Sequence, residues 1–212
     1  MRSQVFPASL LWLLAMPLAH STAISPRLSN VTVTSVSTQG AGCPMGTVST
    51  LLSTDGTAIT LGFDQFETYY GPGYPATQKS KTCIIDLALD YALGYTFAIL
   101  STTYRGSALL DTGMNAAIAS TYRIISDEAE DGTVQTRDSM SGGSVEVYMR
   151  TVDVPAGSTI NSACGRNSAT LQITTRVSVS SNSATVSGSV TGDPQFSLWY
   201  QQLHLGWVAC NR

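Results

Sequence analysis

The chain has 212 residues, a net charge of −3, and only 12% charged residues. A basic stripe is missing, so nucleic acid finds no electrostatic footing as a partner. With two histidines and four cysteines in the whole chain, His-rich metal sites and most nucleophile–histidine chemistry are excluded, and no cofactor or metal is implied.

The amino terminus carries one basic residue, Arg2, and then a nearly unbroken apolar stretch from Val5 to Ala19 that ends in small residues. This pattern predicts a secretory signal peptide. Ser21-Thr22-Ala23 places cleavage after Ala23, leaving residues 24–212 as one secreted domain. A membrane anchor would need about 20 apolar residues, and Pro7 and Pro17 interrupt this run. No later stretch is long and apolar enough to span a membrane.

Asn30-Val31-Thr32 is a glycosylation sequon, and Val31, Val33 and Val36 begin an alternation that predicts a half-buried strand. Gly40 to Gly46 breaks it with turn residues around Cys43. Asp55-Gly56 between two strand-like runs predicts a hairpin. Tyr69-Tyr70-Gly71-Pro72-Gly73-Tyr74-Pro75 reads as an exposed loop. Its tyrosines Tyr69, Tyr70 and Tyr74 are candidate ligand-binding residues, because an aromatic ring joins a large apolar face to a polar handle.

From Cys83 to Tyr91 the alternation is clean: Cys83, Ile85, Leu87, Leu89 and Tyr91 share one face and Asp86 and Asp90 the other. Tyr95 to Tyr104 forms the next strand, with a bend or bulge expected at Gly106. Met114 to Ala119 has helical propensity, but the strand-like Thr121 to Ile125 makes the stretch read as mostly β. Ser126 to Gly132 reads as an acidic turn region and Ser139 to Ser144 as a Gly/Ser loop. Strands follow at Val145–Arg150, Ala169–Val179 and Ala184–Val190, and a last strand or pair from Phe196 to Cys210. Roughly nine to eleven short strands with no intervening helices predict an antiparallel β-sandwich.

Cys43, Cys83, Cys164 and Cys210 point to two disulfides and an oxidising compartment. Three pairings are open. Cys43–Cys83 with Cys164–Cys210 is favoured, since it staples each half of the chain separately. Each bridge would be worth about 4 kcal/mol in the chain-entropy model.

Other candidates are weaker. His204 faces away from Leu203, Leu205 and Trp207, and no G-x-S-x-G elbow supplies it with a nucleophile. Asp86 and Asp90 stand about 13 Å apart along one strand face, too far for a glycosidase pair unless the fold adds Glu67, Asp64 or Glu146. The Asp127–Asp131 run misses the EF-hand pattern at Ala129 and Asp138. Arg105 is expected to pair structurally with Asp111 or Asp90. Trp199, Tyr200 and Trp207 can stack on a sugar or fill a core.

The ordered set Gly42-Cys43-Pro44-Met45-Gly46-Thr47-Val48-Ser49, Thr60 to Phe66, Gly71-Pro72-Gly73, Cys83 to Asp90, Tyr104-Arg105-Gly106, Leu110 to Gly113 and Cys164-Gly165 resembles the secreted fungal and bacterial proteins catalogued as domain of unknown function 4360. The resemblance implies a secreted, cysteine-paired domain and carries over no catalytic residue or ligand. With no catalytic constellation and an aromatic loop, the sequence favours a non-enzymatic extracellular protein binding cell-wall polysaccharide or an extracellular protein partner. The alternative is a secreted hydrolase acting through carboxylates, with His204 assisting.

Overall fold

The structure is a computed structural model, and it describes residues 30–125 and 132–210. The expected signal peptide and the acidic run at residues 127–131 lie outside the described residues.

Twelve strands are described: β1 (Thr32–Gln39), β2 (Val48–Leu52), β3 (Ala58–Phe63), β4 (Thr68–Tyr70), β5 (Ser80–Asp90), β6 (Tyr95–Leu110), β7 (Met114–Ile125), β8 (Thr133–Ser141), β9 (Ser144–Asp153), β10 (Ser168–Ser181), β11 (Gly188–Thr191) and β12 (Trp199–Ala209). They form two antiparallel sheets. The five-stranded sheet runs β1-β5-β10-β7-β8, and the seven-stranded sheet contains β2, β3, β12, β6, β11, β4 and β9. The expected sandwich with two disulfides is the fold of the chain.

The sixteen-residue β6 organises the larger sheet. Along one edge it pairs first with β12, through Arg105, and then with β11, from Ser107 to Leu110. Its other edge pairs with β9 from Ser101 to Leu110. Gly106 therefore does not bend the strand. Glycine is required there by close approach: a Cβ would stand 2.5 Å from Trp199 Cδ1 and 2.8 Å from Tyr148 Oη.

Alternation explains the remaining elements. β7 is a single strand with Met114, Ala116, Ile118, Ser120, Tyr122 and Ile124 turned inward, so period-two burial prevails over the helical propensity of its alanines. The expected loop at Ser139–Ser144 is instead strand up to a tight Gly142-Gly143 turn between β8 and β9. Only Gly188–Thr191 of the expected Ala184–Val190 strand and its sequel forms a ladder.

Two aromatic clusters fill the interior. Trp199 is fully buried against Phe63, Phe66 and Tyr104, with centroids 5.3, 5.0 and 5.8 Å away, and its Nε1 donates to Tyr148 Oη at 2.7 Å. Trp207 packs on Tyr91 and Phe97 and donates from Nε1 to the Gly56 carbonyl at 2.8 Å, which ties down the Asp55-Gly56 hairpin.

Between the clusters lies a buried polar network. Tyr104 Oη is 2.8 Å from Ser120 Oγ and 2.6 Å from Thr136 Oγ1. Tyr122 Oη is 2.6 Å from Thr102 Oγ1. Thr175 donates to Gln201 Oε1 at 2.8 Å, while Gln201 Nε2 donates to Ser120 and Tyr122. Burial of these groups is tolerated because each finds partners.

At the open side of the sandwich the edge strands β8 and β9 turn one charged residue each inward, with Asp138 Oδ2 3.7 Å from Arg150 Nε. Inward charges on edge strands discourage pairing with another chain. The disulfides are Cys43–Cys83 and Cys164–Cys210. Both sit where the two sheets are joined: Cys43 in the connection from β1 to β2, and Cys210 at the end of β12 against the approach to β10.

Candidate functional site

The outer face of the seven-stranded sheet is built in register rows. Tyr200, Arg105 and Met149 stand side by side on β12, β6 and β9. The neighbouring row places Thr60, Gln202, Thr103 and Thr151 together. These residues point outward because their chain neighbours Leu61, Trp199, Gln201, Tyr104 and Tyr148 are core.

A groove of about 300 Å³ opens here, lined by Thr60, Thr103, Arg105, Met149, Phe196, Tyr200 and Gln202. Gln202 Nε2 donates to Thr60 Oγ1 at 2.9 Å. The wall is Phe196, 45% exposed, which lies edge-on to Tyr200 at 6.1 Å and under the Arg105 guanidinium at 4.7 Å.

Phe196 is held by its own turn. Asp193 is buried, and its carboxylate accepts from Arg105 Nε at 2.7 Å and from the Gln195 backbone N–H at 2.8 Å. The Asp193 carbonyl accepts from the N–H groups of Phe196 and Ser197. Ser197 takes a positive φ of 54° to close the turn, a conformation that costs a residue with a Cβ roughly 1–2 kcal/mol. Arg105 thus pairs with Asp193 and not with Asp111 or Asp90. The Tyr200–Arg105 register brings the 192–198 turn beside Arg105, while Asp111 lies six residues further along the chain and accepts from the Ser187 N–H.

The Gln195 N–H first, and then Arg105, hold the Asp193 carboxyl below its ordinary 3.8. A depressed folded value means stability present above the unfolded pKa and lost as pH falls through the folded one. Asp193→Asn is therefore expected to lower the urea midpoint at about pH 7, and the gap to the parent should be smaller at about pH 3, below the ordinary carboxylate value. An equal gap at both pH values would contradict this.

The tyrosine cluster is partly rearranged from the sequence reading. Tyr69 and Tyr70 lie in β4, not in a loop. Tyr70 is buried, its Oη donates to the Ser181 and Ser183 carbonyls, and Lys79 lies over its ring, so it is not the exposed residue expected. Tyr69 and Tyr74 stack on each other at 5.1 Å and 11°, and Tyr74 is 49% exposed. Burial, together with the hydrogen bond from its Oη to Glu67 Oε2 at 2.6 Å, pushes Tyr69 up to about 12. With Leu109, Asp111 and Ser189 these rings line a smaller cavity of about 170 Å³.

The fold does not assemble the other candidates. His204 Nε2 is 3.2 Å from Thr103 Oγ1, which in turn meets Thr151 Oγ1 at 2.7 Å. Asp86 accepts from Gln172 Nε2 on the outer face of the opposite sheet, the face that also carries Asp90, so neither meets Glu67. Trp199 and Trp207 are core, leaving Tyr200 as the outward member of that trio. Among the described residues no group of three or more His, Cys, Asp or Glu is placed to hold a metal ion. No helix among them is long and apolar enough to cross a membrane. Asn30 is exposed.

Phe196 was missed by sequence reasoning. A local signal was present: Gly192-Asp193-Pro194 marks a turn, and an aromatic two residues later stands at its lip.

Among solved structures the fold is similar to TmCBM61 in complex with β-1,4-galactotriose, at 11% identity and a TM-score of 0.26, covering 84% of this chain and 90% of that one. It is also similar to a family 11 carbohydrate-binding module from Clostridium thermocellum in complex with a mixed-linked tetrasaccharide, at 10% identity and a TM-score of 0.21, covering 86% and 89%. Likenesses this remote carry nothing over to the present chain. In sequence, a protein of Arthroderma benhamiae described as an uncharacterized secreted protein is 32% identical over 186 residues, covering 88% of this chain and 74% of that one. The family model described as domain of unknown function (DUF4360) matches residues 29–210. A match of that extent makes this chain a member of the DUF4360 family.

Proposed function

We propose that this is a secreted, non-enzymatic protein that binds cell-wall polysaccharide on the outer face of its seven-stranded sheet. Residues 1–23 are removed as a signal peptide, residues 24–212 act as one domain, and Asn30 carries a glycan. The two disulfides support the oxidising compartment this reading needs.

The observation that carries the reading is the groove itself. An aromatic wall, the exposed Phe196 and the half-buried Tyr200, stands over a floor of hydroxyl and amide groups from Thr60, Thr103 and Gln202. A sugar presents the same two chemistries, an apolar C–H face and a rim of hydroxyls. The one charged group in the groove, Arg105, is already neutralised by Asp193, which suits an uncharged ligand.

The test is binding of the purified, oxidised protein to cellulose, chitin, β-1,3-glucan and xylan, with polymer length measured afterwards. Saturable binding to one of them without shortening is expected, weakened about tenfold or more by Phe196→Ala or Tyr200→Ala. Shortening of the polymer would replace the reading with a hydrolase, and no binding to any of the four would remove it.

A further inference from the structure

The exposed apolar groups of this protein are unevenly placed. Only two aromatic rings stand among the large exposed hydrophobic residues described, Phe196 and Tyr74. Both lie on the outer face of the seven-stranded sheet: Phe196 over the Tyr200–Arg105 row, and Tyr74 stacked on Tyr69, whose strand position pairs with Ser189, itself opposite Leu109. Arg105 and Leu109 are four residues apart on β6, so the two aromatic stations are about 13 Å apart along the strand.

The sheet surface between them carries hydroxyls. Ser107 and Thr191 form the intervening row, with the exposed Val147 beside them on β9. At the far station the carboxylate of Glu67 is engaged by the Tyr69 hydroxyl, and at the near one Arg105 is engaged by Asp193. The strip thus runs aromatic, hydroxyl, aromatic, with its cation Arg105 paired to Asp193 and the carboxylates of Glu67 and Asp111 at the far station held only by neutral donors. An anionic polymer finds no unpaired cation on this strip and meets the carboxylates of Glu67 and Asp111, while alternating apolar and hydroxyl surface matches a long neutral glycan.

We infer that the ligand of this face is an extended, uncharged polysaccharide chain lying along β6 and contacting both the Phe196–Tyr200 station and the Tyr69–Tyr74 station at once. This rests on the polysaccharide-binding reading above and adds that a single sugar or chain end is not the recognised unit. Two stations engaged by one chain act as linked sites, so affinity rises with length well beyond the increment of one contact.

The experiment is calorimetric titration with a dimer-to-octamer series of the oligosaccharide whose polymer binds. Affinity is expected to climb about a hundredfold between the shortest binder and the length that spans both stations, then level off. Tyr74→Ala should bring the long oligomer down to the affinity of the short one without changing the short one, while Phe196→Ala weakens both. Short and long oligomers binding equally, or Tyr74→Ala leaving the long oligomer unchanged, would overturn the two-station inference and leave the groove as a single-sugar site. Failure of every length to bind would overturn the underlying reading and this inference with it.

Discussion

Trp199→Ala is expected to lower the stability of the folded chain by about 3–5 kcal/mol, the range for emptying a large aromatic from a core. The site leaves little room for collapse. Trp199 touches Phe63, Phe66 and Tyr104, all themselves buried, and Gly106 is shaped to receive its ring. The change also removes the donor to Tyr148 Oη. Urea unfolding followed by circular dichroism measures the loss, with Trp199→Phe as the milder companion that keeps most of the ring volume. A cost below about 1 kcal/mol for the alanine variant would mean that the surrounding rings repack freely. Because Trp199 immediately precedes Tyr200 and follows the Asp193 turn, the alanine variant should also weaken the groove.

Removing either disulfide is the second large effect. Bridges Cys43–Cys83 and Cys164–Cys210 close separations of 40 and 46 residues. Loop entropy assigns each about 4 kcal/mol, and the logarithm makes their difference only about 0.1 kcal/mol. Cys43→Ala/Cys83→Ala and Cys164→Ala/Cys210→Ala should therefore shift the urea midpoint almost equally. Typical domains have only about 5–15 kcal/mol in total, so the chain lacking both bridges is expected to be largely unfolded at body temperature. Two single-bridge variants differing by more than about 1 kcal/mol would show that constraint on the unfolded chain is not the main origin of the stabilisation.

The strands were legible wherever polar and apolar residues alternate. Cys83 to Tyr91 and Leu203 to Trp207 needed nothing beyond period two. β7 was harder, because Ala116, Ala117 and Ala119 suit a helix until β10 and β8 pair with it on both sides. β8 was hidden because its inward positions Val134, Thr136, Asp138 and Met140 carry only two apolar side chains, as suits a polar edge strand whose end runs into Ser139–Ser141. The buried network was overlooked for a related reason. Gln201 shares the parity of Trp199 and Leu203, which is a sequence signal for the core face, but a glutamine there reads as an interruption. Arg105 and Asp193 are 88 residues apart and meet only through strand register, which no local pattern records. The same holds for the groove, whose wall comes from the 192–198 turn and whose floor comes from β3, β6 and β12.

Hydroxyls and one amide knit the middle of the sandwich together, and burial drives Tyr104 upward, further from ionisation than an ordinary phenol. Serine, threonine and glutamine gain no charge in water of any ordinary acidity. The interior lattice linking Thr102, Tyr104, Ser120, Tyr122, Thr136, Thr175 and Gln201 therefore keeps its charge state when the medium turns acid. A protein outside the cell has no buffered cytosol around it, and here the two carboxyls held below their ordinary value, Asp193 and Asp55, sit in turns outside that lattice. Acidification would loosen the rim of this molecule while its centre stays electrically silent.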